Sequence, residues 1–345
     1  MRTEIKKGFF RNNKKILLFV ISFLIALVLT WLLKEPSFTQ AQVSVLFLLI
    51  FSVGLWLTEA VPPFSVGLFI IAFLAYSLGY EKFTDTPVDI KIYVNTFSNS
   101  VIWLMLGGFF LASAMTKTKL DTDVIKLTMK VCGSNPKWIL FGFMLVTMVF
   151  SMLISNTATT AMVIASLMPL LLKLGKESAV GKGLILGVPI AATTGGMGTI
   201  IGSPPNAIAV GALIDAGHQM DFVKWIFYGL TVAVVLTFLS WCVLVKLFMK
   251  NAGPVSLDSS NSPVTVIPTD FRIKRLTVFI ILLVTLVLWL TSPIHFLTAS
   301  AVSAVPLVFL PLAGILNGED IRAMGWDTLI LVAGGLALGT GLQQT

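Results

Sequence analysis

The chain has 345 residues, of which 56% are hydrophobic and 12% charged, with a formal net charge of +8 at pH 7; soluble domains carry about twice that share of charged residues. A mean hydropathy of +0.94 excludes a water-soluble enzyme, because apolar surface on this scale has to face lipid. The excess of Lys and Arg is accounted for by cytoplasmic loops, so nucleic-acid binding is not needed to explain it.

Apolar runs of about 17–25 residues match the ~30 Å of hydrocarbon that a helix has to cross. The first, 16–33, follows the basic residues Arg2, Lys6, Lys7, Arg11, Lys14 and Lys15. It is longer than the apolar part of a signal peptide and runs into Trp31-Leu-Leu-Lys-Glu-Pro36 without a small-residue cleavage site, which predicts an uncleaved helix. Runs 43–58, 64–80 and 101–115 come next, separated by Glu59-Ala-Val-Pro-Pro63 and a polar loop over 81–98. The pair 138–154 and 158–172 follows, each rather short. Segment 183–216 is apolar but broken by Gly and Pro, 222–248 is long and unbroken, and 250–271 has the composition of a soluble linker. Then come 276–290, 296–314 and an incomplete 329–342. Cys132 and Cys242 lie in or beside apolar runs without a CxxC or a His partner, so neither a disulfide framework nor a metal site is indicated.

Orientation follows from charge. With the N-terminus in the cytoplasm, each full helix crossing once and 138–172 returning to its starting side, the cytoplasmic segments are those before residue 16, 117–137, 173–182, 246–275 and Arg322. They hold 20 of the 24 Lys and Arg, which satisfies the positive-inside rule. Leu55-Trp-Leu-Thr58 reappears as Leu288-Trp-Leu-Thr291, and Gly107-Gly108 as Gly334-Gly335, with 51 residues from Trp56 to Gly107 and 45 from Trp289 to Gly334. In this topology the two copies are upside down relative to each other. Inverted repeats of this kind are an architecture of secondary transporters, with substrate held near the midplane. The polar features that follow the first copy would recur beyond residue 345, so the second repeat is expected to be incomplete in this chain and the parent transporter to have roughly 450–480 residues.

The densest polar cluster inside an apolar region is Ser151-Met-Leu-Ile-Ser-Asn-Thr-Ala-Thr-Thr160, with Lys130 and Lys137 before it and Lys173, Lys176 and Lys182 after it. Both outer ends therefore share a side, and arms of about 26 and 22 Å are short for a crossing. The spacing predicts a re-entrant hairpin over 138–172 with Ser155-Asn156-Thr157 at its tip. Irregular backbone at that depth is tolerated only inside protein or beside a water-filled cavity, which implies a site; helix packing by Ser and Thr is the plainer alternative. The second break is Ala192-Thr-Thr-Gly-Gly-Met-Gly-Thr-Ile-Ile-Gly-Ser-Pro-Pro-Asn206. Four glycines and Pro-Pro cannot sustain one helix, so the segment has to unwind and restart near Pro204. A phosphate loop does not fit, since no Lys-Ser/Thr follows and no strand precedes. Two such breaks suit an anion and a small cation: half-helices starting at Ala158 and Pro204, with Asn and Thr side chains, can hold carboxylate or sulfate oxygens. Freed carbonyls with Ser and Asn oxygens can hold sodium. No Lys or Arg lies in the membrane interior, so a bound cation would supply the counter-charge. His218 and His295 read as incidental and Glu59 as a helix-end charge; no arrangement of residues suits an intramembrane enzyme.

These residues resemble the divalent anion:sodium symporters, a family of dicarboxylate, citrate and sulfate carriers. The resemblance rests on Ser155-Asn156-Thr157 at a hairpin tip, on Gly202-Ser-Pro-Pro-Asn206 about 46 residues later, and on the Gly107-Gly108 helix. It implies a sodium site formed by Ser151, Ser155, Asn156 and the backbone near Gly202, and substrate binding by Asn156, Thr157, Ser203 and Pro204. It also implies a homodimer, an elevator-like slide of the hairpin domain, and a second Ser-Asn-Thr and unwound loop that this chain lacks. The expected fold is thus an all-α polytopic membrane protein, an inverted-repeat transporter with a re-entrant helical hairpin and an unwound transmembrane helix. Residues 1–100 are scaffold helices and 101–221 the transport part, with the hairpin at 138–172 and the broken helix at 183–216. A transmembrane helix at 222–249, a cytoplasmic linker at 250–271 and the start of the second repeat at 272–345 complete the expectation. The expected activity is sodium-coupled movement of a small dianion, most naturally a C4-dicarboxylate, across the lipid bilayer of the inner (plasma) membrane, with no nucleic acid involved. A sodium-independent exchanger, or a sulfate or citrate carrier of the same fold, fits the same residues, whereas a channel would need a continuous polar pore.

Overall fold

A computed structural model describes residues 2–80, 83–84, 87–120, 128, 131–175, 177–250, 252–255 and 269–345. Among the described residues all regular structure is helical. Among the described residues six helices are long and apolar enough to cross a membrane: Asn13–Leu33, Gln40–Thr58, Lys91–Lys117, Asn156–Leu174, Phe222–Phe248 and Phe271–Leu290. Most of the 250–271 linker and Lys82, Lys126, Lys130 and Lys176 lie outside the described residues.

The chain divides into two units. The first comprises Met1–Ile102, Ile208–His218 and Gly325–Thr345. Its helices are α1 (Arg2–Leu33), α2 (Gln40–Thr58), α3 (Pro63–Leu78), the short α4 (Lys91–Val94) and α16 (Trp326–Gln344), the last numbered by its place in the whole chain. The basic start expected to precede the first apolar run is itself helical, since Lys and Arg are good helix formers. Thr39 and Gln42 form a capping box at the start of α2, and Glu59 ends it in the left-handed region at φ 48°; Pro63 then sits at the first turn of α3, where its missing N–H costs nothing. Phe51 sits edge-on to Phe19, Phe23 and Phe69 at centroid distances of 5.4, 5.6 and 5.7 Å, binding α1, α2 and α3. Over residues 13–33 the other sides of α1 are largely exposed, with Ser22, Ala26 and Thr30 as its buried stripe, the pattern of a lipid-facing helix. Where α3 crosses α16, Gly67 lies directly on the Gly334 backbone, and a Cβ on Gly67 would stand 2.8 Å from the Ile330 carbonyl.

The second unit comprises Trp103–Ala207 and Gln219–Met324. It holds most of α5 (Ser100–Lys117), then α6 (Pro136–Ser151), α7 (Asn156–Leu174), α8 (Ala179–Gly195), the first turn of α9 (Pro204–Asp215), α10 (Phe222–Phe248), α11 (Thr269–Leu290), and the short α12 (Ser292–His295), α13 (Ala299–Val302), α14 (Ala304–Leu312) and α15 (Gly318–Arg322). Helix α8 packs against α6, α7 and α10, so the core of this unit is built around it. The expected run 296–314 is split at Ser303, because Pro306 has no N–H to give the Val302 carbonyl. That split lets Ser303 reach α5, where a Cβ on Gly107 would stand 2.6 Å from the Ser303 Cβ. Asn135 caps α6 with Pro136 at its first turn, which sets the start of that arm two residues before the expected 138. Its partner α7 is longer than expected, at 19 residues or about 28 Å; its length alone is compatible with a crossing.

In the short α15, the Asp320 carboxylate accepts the Asn317 backbone N–H at 2.7 Å and pairs with the Lys117 ammonium at the end of α5. Burial raises the Asp320 pKa, but the Lys117 hydrogen bond, the Asn317 N–H and the Lys117 charge together bring it below its ordinary 3.8. A depressed carboxylate stabilises the fold above its unfolded pKa and loses that contribution as pH falls through the folded value. Asp320→Asn is therefore expected to cost about 0.2–1 kcal/mol at pH 7. The difference from wild type, read by thermal melting in detergent, should shrink as pH falls below that ordinary value.

Candidate functional site

The two sequence breaks meet within the second unit. Helix α6 ends at Ser151 and α7 begins at Asn156, with Ser155 as its N-cap. The second half-helix was expected to start at Ala158; the Ser155 hydroxyl, accepting the Ala158 N–H at 3.4 Å, sets the start two residues earlier. Helix α8 ends at Gly195, a 3-10 turn covers Ile200–Gly202, and α9 begins at Pro204. The helix expected over 183–216 is thus interrupted between Gly195 and Pro204, inside the stretch that Gly and Pro-Pro mark.

Ser151 is fully buried, and its Oγ lies 2.7 Å from Asn156 Oδ1 and 2.6 Å from the Ala192 carbonyl. One hydroxyl has one proton and cannot serve two acceptors fully. Three oxygens therefore converge on one hydroxyl proton, and the Ala192 carbonyl accepts the Gly196 N–H at 2.9 Å as well. Beside them the half-buried Asn156 amide rests on the Cα of Gly196, where any side chain would collide with it. Gly202 is buried against two further carbonyls: a Cβ there would stand 2.6 Å from the Gly196 oxygen and 3.0 Å from the Ser151 oxygen. The absence of a side chain at 196 and 202 is what allows these carbonyls to approach.

Of the residues expected at the site, Ser151, Asn156 and Gly202 are brought together. Ser155 and Thr157 are exposed in the first turn of α7, and Ser203 and Pro204 are half-buried at the start of α9. Ser155 caps its helix, Ser203 is extended, and among the described residues no side-chain hydrogen bond joins Thr157 or Ser203 to the cluster. The positive ends of the α7 and α9 dipoles are suited to an anion, α7 through the N–H groups of its first turn and α9, which starts with Pro204-Pro205, through its dipole. The neutral hydroxyl, amide and carbonyl oxygens suit a monovalent hard cation, of the kind that unwound helices hold in membrane carriers. Among the described residues no group of three His, Cys, Asp or Glu side chains could hold a metal ion.

Several participants were not singled out from sequence. Thr199 donates to the Met152 carbonyl and accepts the Gly202 N–H at 3.1 Å, tying the unwound segment to the α6–α7 turn. Asn206 is buried and gives its amide N–H groups to the carbonyls of Gly196 and Thr199. Helix α10 braces the same segment: Trp225 Nε1 donates to the Met197 carbonyl at 3.1 Å, and the Thr194 and Thr237 hydroxyls meet at 2.7 Å. The Asn of Gly202-Ser-Pro-Pro-Asn206 was visible as part of the motif, but a polar residue in a first helical turn has an ordinary capping explanation, and its real partners lie upstream.

The citrate transporter family matches residues 53–345 of the chain. The sodium-dependent dicarboxylate transporter SdcS of Staphylococcus saprophyticus is 29% identical over 376 aligned positions, which cover 98% of this chain and 71% of the relative. SdcS of Staphylococcus aureus strain NCTC 8325 is 29% identical over 328 positions, covering 84% of this chain and 60% of the relative, and SdcS of the bovine strain RF122 is 27% identical over the same shares. The chain thus spans between 60% and 71% of the length of these relatives. Two interrupted helices with converging neutral oxygens, many apolar helices and a family match over most of the sequence lead to one assignment: the chain belongs to the citrate transporter family, carriers of the divalent anion:sodium symporter type rather than enzymes.

Proposed function

We propose that the protein is a secondary active transporter that moves small divalent anions, C4-dicarboxylates first, across the plasma membrane in symport with sodium. The observation that carries this reading is the convergence of Ser151 Oγ, Asn156 Oδ1 and the Ala192 carbonyl beside the Gly196 and Ser151 carbonyls at Gly202. Sodium held by Ser151, Ser155, Asn156 and the backbone at Gly202 would satisfy these acceptors. Its charge would stand close to a carboxylate bound by Asn156, Thr157, Ser203 and the first turn of α9 at Pro204. With no basic side chain expected at this depth, binding of each ion then favours the other by direct electrostatics, which is the coupling that symport requires. The names of the SdcS relatives support both sodium and a dicarboxylate, and the family description supports citrate as a neighbouring substrate.

In this reading 138–172 is a re-entrant hairpin that returns to the cytoplasmic side. Lys137 and Lys173 at the outer ends of α6 and α7 support it, since two lysine-flanked ends on one face match the positive-inside rule. The N-terminus is cytoplasmic, residues 272–345 begin an inverted second repeat, and 101–221 move as the transport part against a scaffold that includes 1–100 in a homodimer. The test is uptake of radiolabelled succinate by the full-length protein in proteoliposomes, with an inward sodium gradient against a potassium control. Sodium-driven accumulation is expected. Uptake that ignores sodium and responds only to internal dicarboxylate would identify an exchanger, and citrate or sulfate flux without succinate flux would reassign the substrate.

A further inference from the structure

We propose that Asn206 is a positioning residue for the cation, acting through the Gly196 and Thr199 carbonyls; this rests on the sodium reading above. Once α8 stops at Gly195, the carbonyls that follow lose the helical N–H groups that would have served them, and in an apolar surrounding such groups need replacement donors. Asn206 supplies them from the first turn of α9: its Nδ2 lies 2.7 Å from the Gly196 oxygen and 2.8 Å from the Thr199 oxygen.

Satisfying stray carbonyls would by itself be a structural role. What raises it further is which carbonyls they are. The Gly196 oxygen faces Gly202 together with the Ser151 oxygen, and the Gly196 Cα carries the Asn156 amide. Thr199 bridges Gly202 and the Met152 carbonyl. A carbonyl has two lone pairs, so Gly196 can keep one for Asn206 and turn the other toward the cluster. Asn206 therefore sets where that lone pair points. Because it sits two residues after Pro204, it also joins the cation ligands mechanically to the half-helix proposed to receive the anion.

The experiment compares wild type, Asn206→Asp and Asn206→Ser in proteoliposomes carrying the full-length protein. The readouts are the sodium half-saturation of succinate uptake, the succinate KM at saturating sodium, and the sodium-to-lithium preference. Asp is nearly isosteric and turns two donors into acceptors, whereas Ser keeps one donor on a shorter stem. The expected result is a sodium half-saturation raised at least about tenfold in the Asp variant, as for one ion contact put out of place. The Ser variant should fall between, the sodium preference should weaken, and the succinate KM at saturating sodium should change much less. A uniform drop in uptake with unchanged sodium half-saturation and ion preference overturns the proposal and leaves Asn206 structural. If the Asp variant does not fold, the Ser variant decides by the same two measures. A wild type that ignores sodium overturns the symport reading itself, a failure distinct from sodium-coupled wild type with unaltered variants.

Discussion

Asn156→Ala is expected to reduce sodium-driven succinate uptake about a hundredfold, because this one side chain belongs to both proposed sites. Its Oδ1 is one of the oxygens crowded around the single Ser151 proton, and its amide rests on the Gly196 backbone between the two interrupted helices. Loss of one polar contact to an ion costs about 1.5–3 kcal/mol, or roughly 10–150-fold in affinity. The same change removes a first-turn donor from the anion and releases the Ser151 hydroxyl to bond fully with Ala192. Asn156→Asp should behave differently: a carboxylate there attracts sodium and repels the dianion, so sodium-induced thermal stabilisation in detergent should persist while succinate uptake disappears. An Ala variant whose sodium half-saturation stays within about twofold of wild type would remove Asn156 from the cation site, since even the weaker contact energy exceeds that margin.

Gly195→Ala is expected to destabilise the second unit by about 3 kcal/mol or more, at the upper end for overpacking. A Cβ at this position would stand 2.6 Å from the Met148 Cα and 2.8 Å from its carbonyl carbon. Neither atom belongs to a flexible side chain; both are the backbone of α6, and relief requires α6 and α8 to separate at the end that bears Ser151. The variant should therefore lose thermal stability in detergent and transport together. Gly339→Ala in α16 is the matched control, since nothing lies within 4 Å of its Cβ; there alanine should gain up to about 1 kcal/mol from helix propensity. If both substitutions shift the melting temperature alike, backbone contact between α6 and α8 is not what the glycine serves.

Much of this architecture was legible in the chain itself. The run 222–248 is a helix with those same ends, because an unbroken apolar stretch between Asp221, which caps it, and the turn after Phe248 contains its own start and stop signals. The helix interruption was equally plain, since four glycines and Pro-Pro defeat helical hydrogen bonding wherever they sit. The polar character of the α6–α7 turn was visible too, with six Ser, Thr or Asn residues between Ser151 and Thr160. Helix ends were less legible: α7 starts at Asn156 because Ser155 caps it, and 296–314 breaks because Pro306 leaves a carbonyl unserved.

Tertiary structure alone decided which atoms face one another. Ser151 reaches Ala192 across 41 positions and Thr199 reaches Met152 across 47, distances over which local propensity carries no information. Sequence determined that helices would break and that polar groups would be exposed there, because those properties depend on each residue and its near neighbours. The packing of α6, α7, α8 and α10 determined which freed carbonyl meets which donor, and so joined Asn206 to Gly196, because a hydrogen bond is satisfied by position and not by spacing along the chain.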